Sequence, residues 1–128
     1  MITCYPTETL EDHKKNISDL KKYQKYSKLG VIEFMRWGTT MHIAPDTPIS
    51  TKEMVSSLGL VTATGQDIFY EPGTSYTWKC KTNPGLDLKE RIRRRLELYK
   101  VTTELGYLQP DARNELTTIL KMSEFIGQ

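Results

Sequence analysis

The sequence predicts an α+β fold, with a small antiparallel sheet packed by helices in the order α-ββ-α-ββ-α-α. Two observations predict it. The chain has 128 residues, 38% of them apolar and 27% charged, which is enough to bury a core without metal or disulfide staples. Segments with helical periodicity are interspersed with short segments in which apolar and polar residues alternate. We therefore expect one compact domain over 1–128, with an N-terminal tail at 1–6, a mixed α/β part at 7–82 and a C-terminal helical pair at 84–128.

The first predicted elements are a helix and two strands. Residues 7–29 have a thin apolar stripe at helical spacing, Thr7 or Thr9 can cap the N-terminus, and Gly30 suits the C-terminal end. VIEFMRW at 31–37 and TMHI at 40–43 follow. Their content of β-branched and aromatic residues is typical of strands.

The middle of the chain predicts a short helix and then a hairpin. STKEMVSSL, residues 50–58, is capped by Ser50 or Thr51, with Glu53 completing a capping box with Ser50, and it stops at Gly59. DIFY at 67–70 and SYTWKCK at 75–81 are the hairpin strands, and EPGT joins them in a turn. Alternation along the second strand places two sets of residues on opposite faces. The core face carries Tyr76, Trp78 and Cys80, and the basic face carries Thr77, Lys79 and Lys81.

TKEMVSSLGLVTATGQDI, residues 51–68, resembles the helix-turn-helix of DNA-binding proteins. Its apolar positions are Met54, Val55, Leu58 and Ile68, and Gly59 stands where that motif has its turn glycine. The resemblance implies a second helix over VTATGQD and a winged-helix variant of the fold, with the hairpin as the wing. Gly65 departs from the motif, because the second helix should carry a core aliphatic residue there. One helix followed by a loop and a hairpin is the alternative.

Two helices are predicted for the C-terminal part. Asp87 can cap a long helix from about 88 to 105, and Leu88, Ile92, Leu96 and Tyr99 form its apolar face. Leu98, Val101 and Leu105 form a second apolar face, so we expect this helix to pack between other elements. DARNELTTILKMSEFI, residues 111–126, predicts the final helix, with Pro110 near its first turn.

The long helix also carries the strongest functional signal, in KERIRRRLELYK at 89–100. Its polar face mixes cations with glutamates, but Arg91, Arg94 and Arg95 stand at i, i+3 and i+4 with no acid between them. Like charges at this spacing repel one another, so acids from elsewhere or a bound anion should offset them. Guanidinium groups bind phosphate and carboxylate equally well. We expect these arginines to clamp phosphates, and Arg94→Glu to abolish binding with little effect on stability.

Further cations could extend such a clamp into one basic surface. They are Lys21, Lys25 and Lys28 in the first helix and Lys79 and Lys81 on the strand. Tyr23 and Tyr26 lie among the lysines of the helix, the interleaving that single-strand binders use, although tyrosines also cover core edges. The alternatives are that these charges are solvated or paired within the protein, or that they meet an acidic protein or lipid headgroups.

The sequence predicts no metal site, no cofactor and no enzymatic activity. Cys4, His13, His42 and Cys80 are the only soft metal ligands, and they lack the close pairs of a zinc site. The chain has none of the phosphate-binding, nucleophile-elbow or metalloprotease motifs. Two cysteines do not make a disulfide framework, so we expect an intracellular location, in cytoplasm or nucleus. No apolar run is long enough to predict a membrane span.

The predicted function is therefore a non-enzymatic module that binds RNA or DNA through a basic helix surface. The formal net charge of +2 is too small to decide this, so the prediction depends on how the charges are distributed. The alternative is a protein–protein adaptor or small oligomeric subunit that uses the C-terminal helices. Their apolar residues are numerous for a chain terminus: Leu116, Ile119, Leu120, Phe125 and Ile126.

Overall fold

The computed structural model describes residues 4–30, 43, 47–62, 64–65, 77–107, 117 and 120–121. These ranges contain four α-helices, one 3-10 helix and a two-stranded antiparallel sheet, which confirms the α+β fold class. In chain order the elements are α1 Leu10–Lys22, α2 Gln24–Lys28, the 3-10 helix Pro48–Ser50, α3 Lys52–Leu58, β1 Leu60–Val61, β2 Lys79–Cys80 and α4 Leu88–Glu104. The predicted strands at 31–37 and 67–70, the EPGT turn and residues 40–42 of the strand predicted at 40–43 lie outside the described residues, and Ile43 is described without regular secondary structure.

The predicted first helix is present but divided. Thr9 caps α1 in a capping box, because its hydroxyl accepts from the Asp12 N–H and the Asp12 carboxylate accepts from the Thr9 N–H. The helix is interrupted at Tyr23, whose carbonyl accepts from the Tyr26 N–H in a tighter i→i+3 turn. Gly30, with φ of 76°, ends α2 as predicted and donates to the Ser27 carbonyl.

The cap of α3 differs from the prediction. Thr51 is the N-cap and accepts from the Met54 N–H, so Ser50 and Glu53 do not form the expected capping box. Ser50 ends the preceding 3-10 helix, where its Oγ donates to the Thr47 carbonyl at 2.9 Å and accepts from the Thr47 N–H at 3.0 Å. Ser50 is part of that 3-10 helix, whereas Thr51 has the extended backbone of an N-cap, so Thr51 caps α3.

The sheet pairs β1 with β2, so that Leu60 lies opposite Cys80 and Val61 opposite Lys79. The predicted alternation along β2 is confirmed where it is described, because Trp78 and Cys80 are buried and Lys79 is exposed. Val61 is part of a strand, whereas the helix-turn-helix resemblance requires it to begin a helix. The residues Val-Thr-Ala-Thr favour extended backbone more than helix, and the resemblance therefore fails at this position.

Two clusters of buried side chains form the core. The first lies between α3, the sheet and the segment before α4, and consists of Ile43, Val55, Leu58, Leu60, Trp78, Cys80 and Leu86. The second joins α1 to α4 and consists of Leu20, Leu98 and Tyr107, with Ile17 and Leu105 packed against it. The Tyr107 hydroxyl donates to the Leu20 carbonyl at 2.5 Å, which ties the end of α4 to α1.

The N-terminal segment is packed where it is described, whereas a tail was predicted for 1–6. Cys4 and Pro6 are buried, and the Asn83 amide donates to the carbonyls of Pro6 and Glu8 at 3.0 and 2.9 Å. Of the predicted final helix, Thr117, Leu120 and Lys121 are described and are helical. Within the ranges given above, no helix is both long and apolar enough to cross a membrane.

Candidate nucleic-acid interface

Helix α4 begins as predicted, because the Asp87 carboxylate accepts from the Glu90 N–H at 2.8 Å. Its buried face is only partly the predicted one, because Ile92 and Leu98 are buried as expected. Leu88, Leu96 and Tyr99 are only partly buried. The side chains turned inward follow one helical stripe and are Arg91, Arg94, Arg95, Leu98 and Thr102, with Ile92 beside it. The three arginines of the predicted clamp therefore lie inside the protein, with 0%, 4% and 3% of their surface exposed.

Arg91 is held by the first core cluster. Its Cζ lies 3.7 Å from the centroid of the Trp78 ring, which is a close cation–π contact. Its Nη1 donates to the carbonyls of Trp78 and Leu86, both at 3.0 Å. Burial lowers the pKa of the Arg91 guanidinium to about 10, which still leaves it charged at neutral pH. Arg91 thus links β2, the loop before α4 and α4 itself.

Arg94 is paired with acids of the same chain. Its Nη1 lies 2.9 Å from Glu8 Oε1, its Nε lies 2.9 Å from Glu90 Oε1, and Glu8 is itself buried. Burial acts to lower the pKa of Arg94, but the hydrogen bonds to Glu90 and Glu8 outweigh that effect and raise it. Paired charge was one of the alternatives that the sequence left open. For Arg94 it is the arrangement found.

The acids around α4 form a continuous chain of ion pairs. Arg93, on the exposed side, donates to Glu90 and to Glu97, with Nη–Oε distances of 2.8 and 2.9 Å. Glu97 Oε2 also lies 3.1 Å from Nε2 of the buried His13 on α1. Hydrogen bonds from Arg93 and Arg94 lower the pKa of Glu90 to about 2, although burial acts in the opposite direction. These pairs join α1 and the N-terminal segment to α4.

A buried, internally bonded guanidinium cannot approach a phosphate backbone, so the predicted arginine clamp needs correcting. Each contact that holds Arg91 and Arg94 would have to break before they could bind an external anion. The repulsion between like charges at i, i+3 and i+4 is offset inside the fold by acids, carbonyls and an indole ring. The arginines are structural parts of the core.

The predicted lysines are all exposed, but they flank different parts of the core. Lys79 and Lys81 lie on and just after β2, beside the first core cluster, and the Lys81 N–H donates to the Gly59 carbonyl at 2.8 Å. Lys21, Lys25 and Lys28 lie on α1 and α2, beside the second core cluster. The five lysines therefore belong to two separate segments of the chain, the helical segment α1–α2 and the segment at β2.

The α1–α2 segment carries a compact group of exposed cations and rings, here called the Lys–Tyr surface. It consists of Lys21, Lys22, Tyr23, Lys25, Tyr26 and Lys28. The centroids of the two tyrosine rings are 5.9 Å apart and their planes are tilted by 32°. The Nζ of Lys22 lies 5.3 Å from the Tyr23 centroid, and the Nζ of Lys25 lies 5.1 Å from the Tyr26 centroid. Rings and cations are interleaved in space as well as in sequence.

The lysines of this surface differ from those earlier in α1. Lys14 and Lys15 pair with Glu11 and Asp19, at 3.4 and 3.0 Å. Among the described residues, no carboxylate lies within 4.0 Å of the four lysines of the Lys–Tyr surface. The sequence also has no Asp or Glu between Asp19 and Glu33. The result is a local excess of positive charge facing solvent.

Lys22 was not among the residues predicted for the site, and the sequence left open whether Tyr23 and Tyr26 bind a single strand or cover the edge of the core. Two features of the sequence indicate these three residues. Residues 20–32 contain no Asp or Glu, and Lys22, Tyr23 and Tyr26 lie outside the helix stripe formed by His13, Ile17, Leu20 and Gln24. That stripe faces α4, and the Gln24 amide donates to the Leu105 carbonyl at 2.8 Å. The residues between its members point outward.

The thiols of Cys4 and Cys80 are free and buried. Burial raises the pKa of the Cys4 thiol to about 12, and Glu8 adds to that effect, so the thiolate is strongly disfavoured. The Cys80 Sγ lies 2.7 Å from the Leu58 carbonyl, inside the first core cluster. In the part of the chain that is described, no three His, Cys, Asp or Glu side chains converge to hold a metal ion.

The fold and this surface define a class: a small α+β protein with an exposed basic and aromatic helix face. No protein-family model, no curated protein and no solved structure matches the chain.

Proposed function

We propose that this chain is a non-enzymatic, intracellular nucleic-acid-binding module that contacts phosphates through the Lys–Tyr surface. The observation that carries the proposal is the row of four exposed lysines without an acidic partner among the described residues. Clustered exposed cations attract a polyanion and release its counterions on contact. The proposal does not depend on the arginines of α4.

Contacts of this kind position a protein on nucleic acid without reading its sequence. Lysine ammonium groups act as point charges on flexible stems, so they tolerate many phosphate geometries. Lys79 and Lys81 form a second exposed basic site, which contributes only if the bound strand extends from α1–α2 to the sheet. We therefore expect binding that depends on charge and strand length.

The test is fluorescence anisotropy of labelled RNA and DNA oligomers titrated with two charge-reversal variants. Lys21→Glu/Lys25→Glu/Lys28→Glu should lower affinity by at least about tenfold, because three phosphate contacts become repulsive. Lys52→Glu/Lys89→Glu/Lys100→Glu changes the net charge equally at exposed lysines on α3 and α4 and should have a much smaller effect. Equal losses in both variants would reduce the effect to net charge and reject the Lys–Tyr surface.

A second candidate function follows from Leu120, which is helical and 47% exposed. An exposed leucine in the apolar C-terminal segment favours an adaptor or oligomeric subunit that buries this face against a partner. Light scattering over a range of protein concentrations tests self-association. For this candidate we expect a dimer that Leu120→Glu converts to monomer, whereas a monomer at all concentrations would reject self-association.

A further inference from the structure

We infer that the Lys–Tyr surface selects single-stranded nucleic acid by stacking unpaired bases on the rings of Tyr23 and Tyr26. This inference rests on the nucleic-acid binding proposed above and adds the class of ligand. It is carried by the exposure of the two rings, by their mutual geometry and by the position of a cation over each ring.

The two rings are not needed by the core. Tyr23 is 42% and Tyr26 is 37% exposed, and neither belongs to the two core clusters of the described residues. The side of α1–α2 that packs on α4 is supplied by Leu20 and Gln24 instead. Leu29, 74% exposed, continues the row at a spacing of three residues. Adjacent exposed apolar groups mark a contact surface more often than single ones do.

The geometry of the rings suits stacking on their outer faces. A centroid separation of 5.9 Å with a 32° tilt lies in the range in which two rings already contact each other. A base therefore does not fit between them, and it stacks on a face that Lys22 or Lys25 now partly covers. Lysine stems are flexible, so these ammonium groups can move from the rings to phosphates of the bound strand.

Stacking distinguishes unpaired bases from a duplex. In a duplex the faces of the bases are covered by their neighbours, so exposed tyrosine rings gain nothing beyond the phosphate contacts of the lysines. In a single strand each base presents its face, and alternating cations and aromatic rings are how single-strand binders exploit it. Such stacking tolerates any base, so we expect little sequence preference.

The experiment separates stacking from phosphate contact with an abasic oligomer, which has the sugar–phosphate backbone but no bases. Labelled thymidine, uridine and abasic oligomers of about 20 nucleotides, longer than one such module covers, are titrated at equal salt. The wild-type chain should bind the thymidine and uridine oligomers about 5- to 140-fold more tightly than the abasic one for each stacked base. A DNA duplex of the same length has a higher charge density than the abasic strand, so its binding reports phosphate contacts alone and should respond little to the tyrosine variants below.

Two tyrosine variants test where the preference arises. Tyr23→Leu/Tyr26→Leu should lower the affinity for the thymidine and uridine oligomers much more than the affinity for the abasic oligomer, because all lysines remain and only the stacking faces are lost. Tyr23→Phe/Tyr26→Phe keeps both aromatic faces and should retain the preference.

The outcomes distinguish the two proposals. Equal wild-type affinity for thymidine and abasic oligomers overturns stacking and leaves phosphate binding in place. No affinity for any oligomer overturns both, and binding to phosphatidylserine vesicles in that case would assign the surface to lipid headgroups.

Discussion

The guanidinium of Arg91 lies against the indole of Trp78, with 3.7 Å between Cζ and the ring centroid, and donates to the Trp78 carbonyl at 3.0 Å. One arginine thus binds both the side chain and the backbone of the residue that precedes β2. Because of these contacts, Arg91 of the segment KERIRRRLELYK is part of the core and not part of a ligand-binding surface.

Arg91→Ala should destabilise the protein by about 3 kcal/mol or more. The change leaves the carbonyls of Trp78 and Leu86 without their donor and opens a cavity beside the indole. Urea denaturation measures the loss. Arg93→Ala is the matched control, because Arg93 is half exposed and its surface ion pairs contribute about 1 kcal/mol or less. Equal losses for the two variants would contradict the structural role of Arg91.

Removing Arg94 from the buried pair Glu8–Arg94 should cost about 3–5 kcal/mol, because the buried Glu8 carboxylate then loses its counter-ion. Arg94→Glu should be worse still, since it places a third carboxylate beside Glu8 and Glu90. This reverses the expectation from sequence that Arg94→Glu would spare stability. Glu8→Leu should cost less than the removal of Arg94, because Arg94 keeps its ion pair with Glu90.

A double-mutant cycle measures the pair directly. Glu8→Leu/Arg94→Met replaces both charges with apolar groups and should recover much of the loss seen in Arg94→Met alone. Additive losses in urea denaturation would show that the two side chains do not interact.

Acid should destabilise the protein in a window set by Glu90. Its pKa in the folded state is about 2, against an ordinary value of 4.5. Because the folded pKa is the lower one, the stabilisation is present above about pH 4.5 and is lost as the pH falls towards about 2. Glu90→Gln should show a shallower fall in the free energy of unfolding over that window. An unchanged pH profile in this variant would contradict the ion pairs of Glu90.

Gly59→Ala should cost more stability than Gly30→Ala. Both glycines have positive φ, 66° and 76°, which costs about 1–2 kcal/mol for a residue with a Cβ. A Cβ at Gly59 would also lie 3.0 Å from the Lys81 Cβ, whereas no described residue lies within 4 Å of a Cβ at Gly30. Thermal melts of the two variants give the difference, and a larger loss at Gly30 would argue against the close approach of Lys81 to α3.

Local signals in the sequence predicted the elements that depend on local interactions. Thr9, Asp87 and Gly59 stand where a cap or a left-handed residue is required, and each acts there. The fold class also follows from periodicity. The sequence could not show whether Ser50 or Thr51 caps α3, because both residue types can cap a helix. The 3-10 helix that contains Ser50 is not evident from the spacing of residues.

The site could be predicted only in part, because burial of a charged residue depends on distant partners. Arg94 is buried since Glu8, 86 positions earlier, folds over it, and Arg91 is buried since Trp78 and Leu86 supply a ring and two carbonyls. Nothing in KERIRRRLELYK indicates those partners. The lysines of α1–α2 were predictable as exposed because they lie outside the apolar stripe of an amphipathic helix.

The salt dependence of oligonucleotide binding tests the central claim most directly. For single strands the logarithm of the affinity falls with the logarithm of salt concentration by about 0.7 per phosphate contact. The slope of Lys21→Gln/Lys25→Gln/Lys28→Gln should therefore be smaller than that of the wild type by about 2. An identical slope in both proteins, or no binding by the wild type at low salt, would contradict a phosphate-binding role for the Lys–Tyr surface.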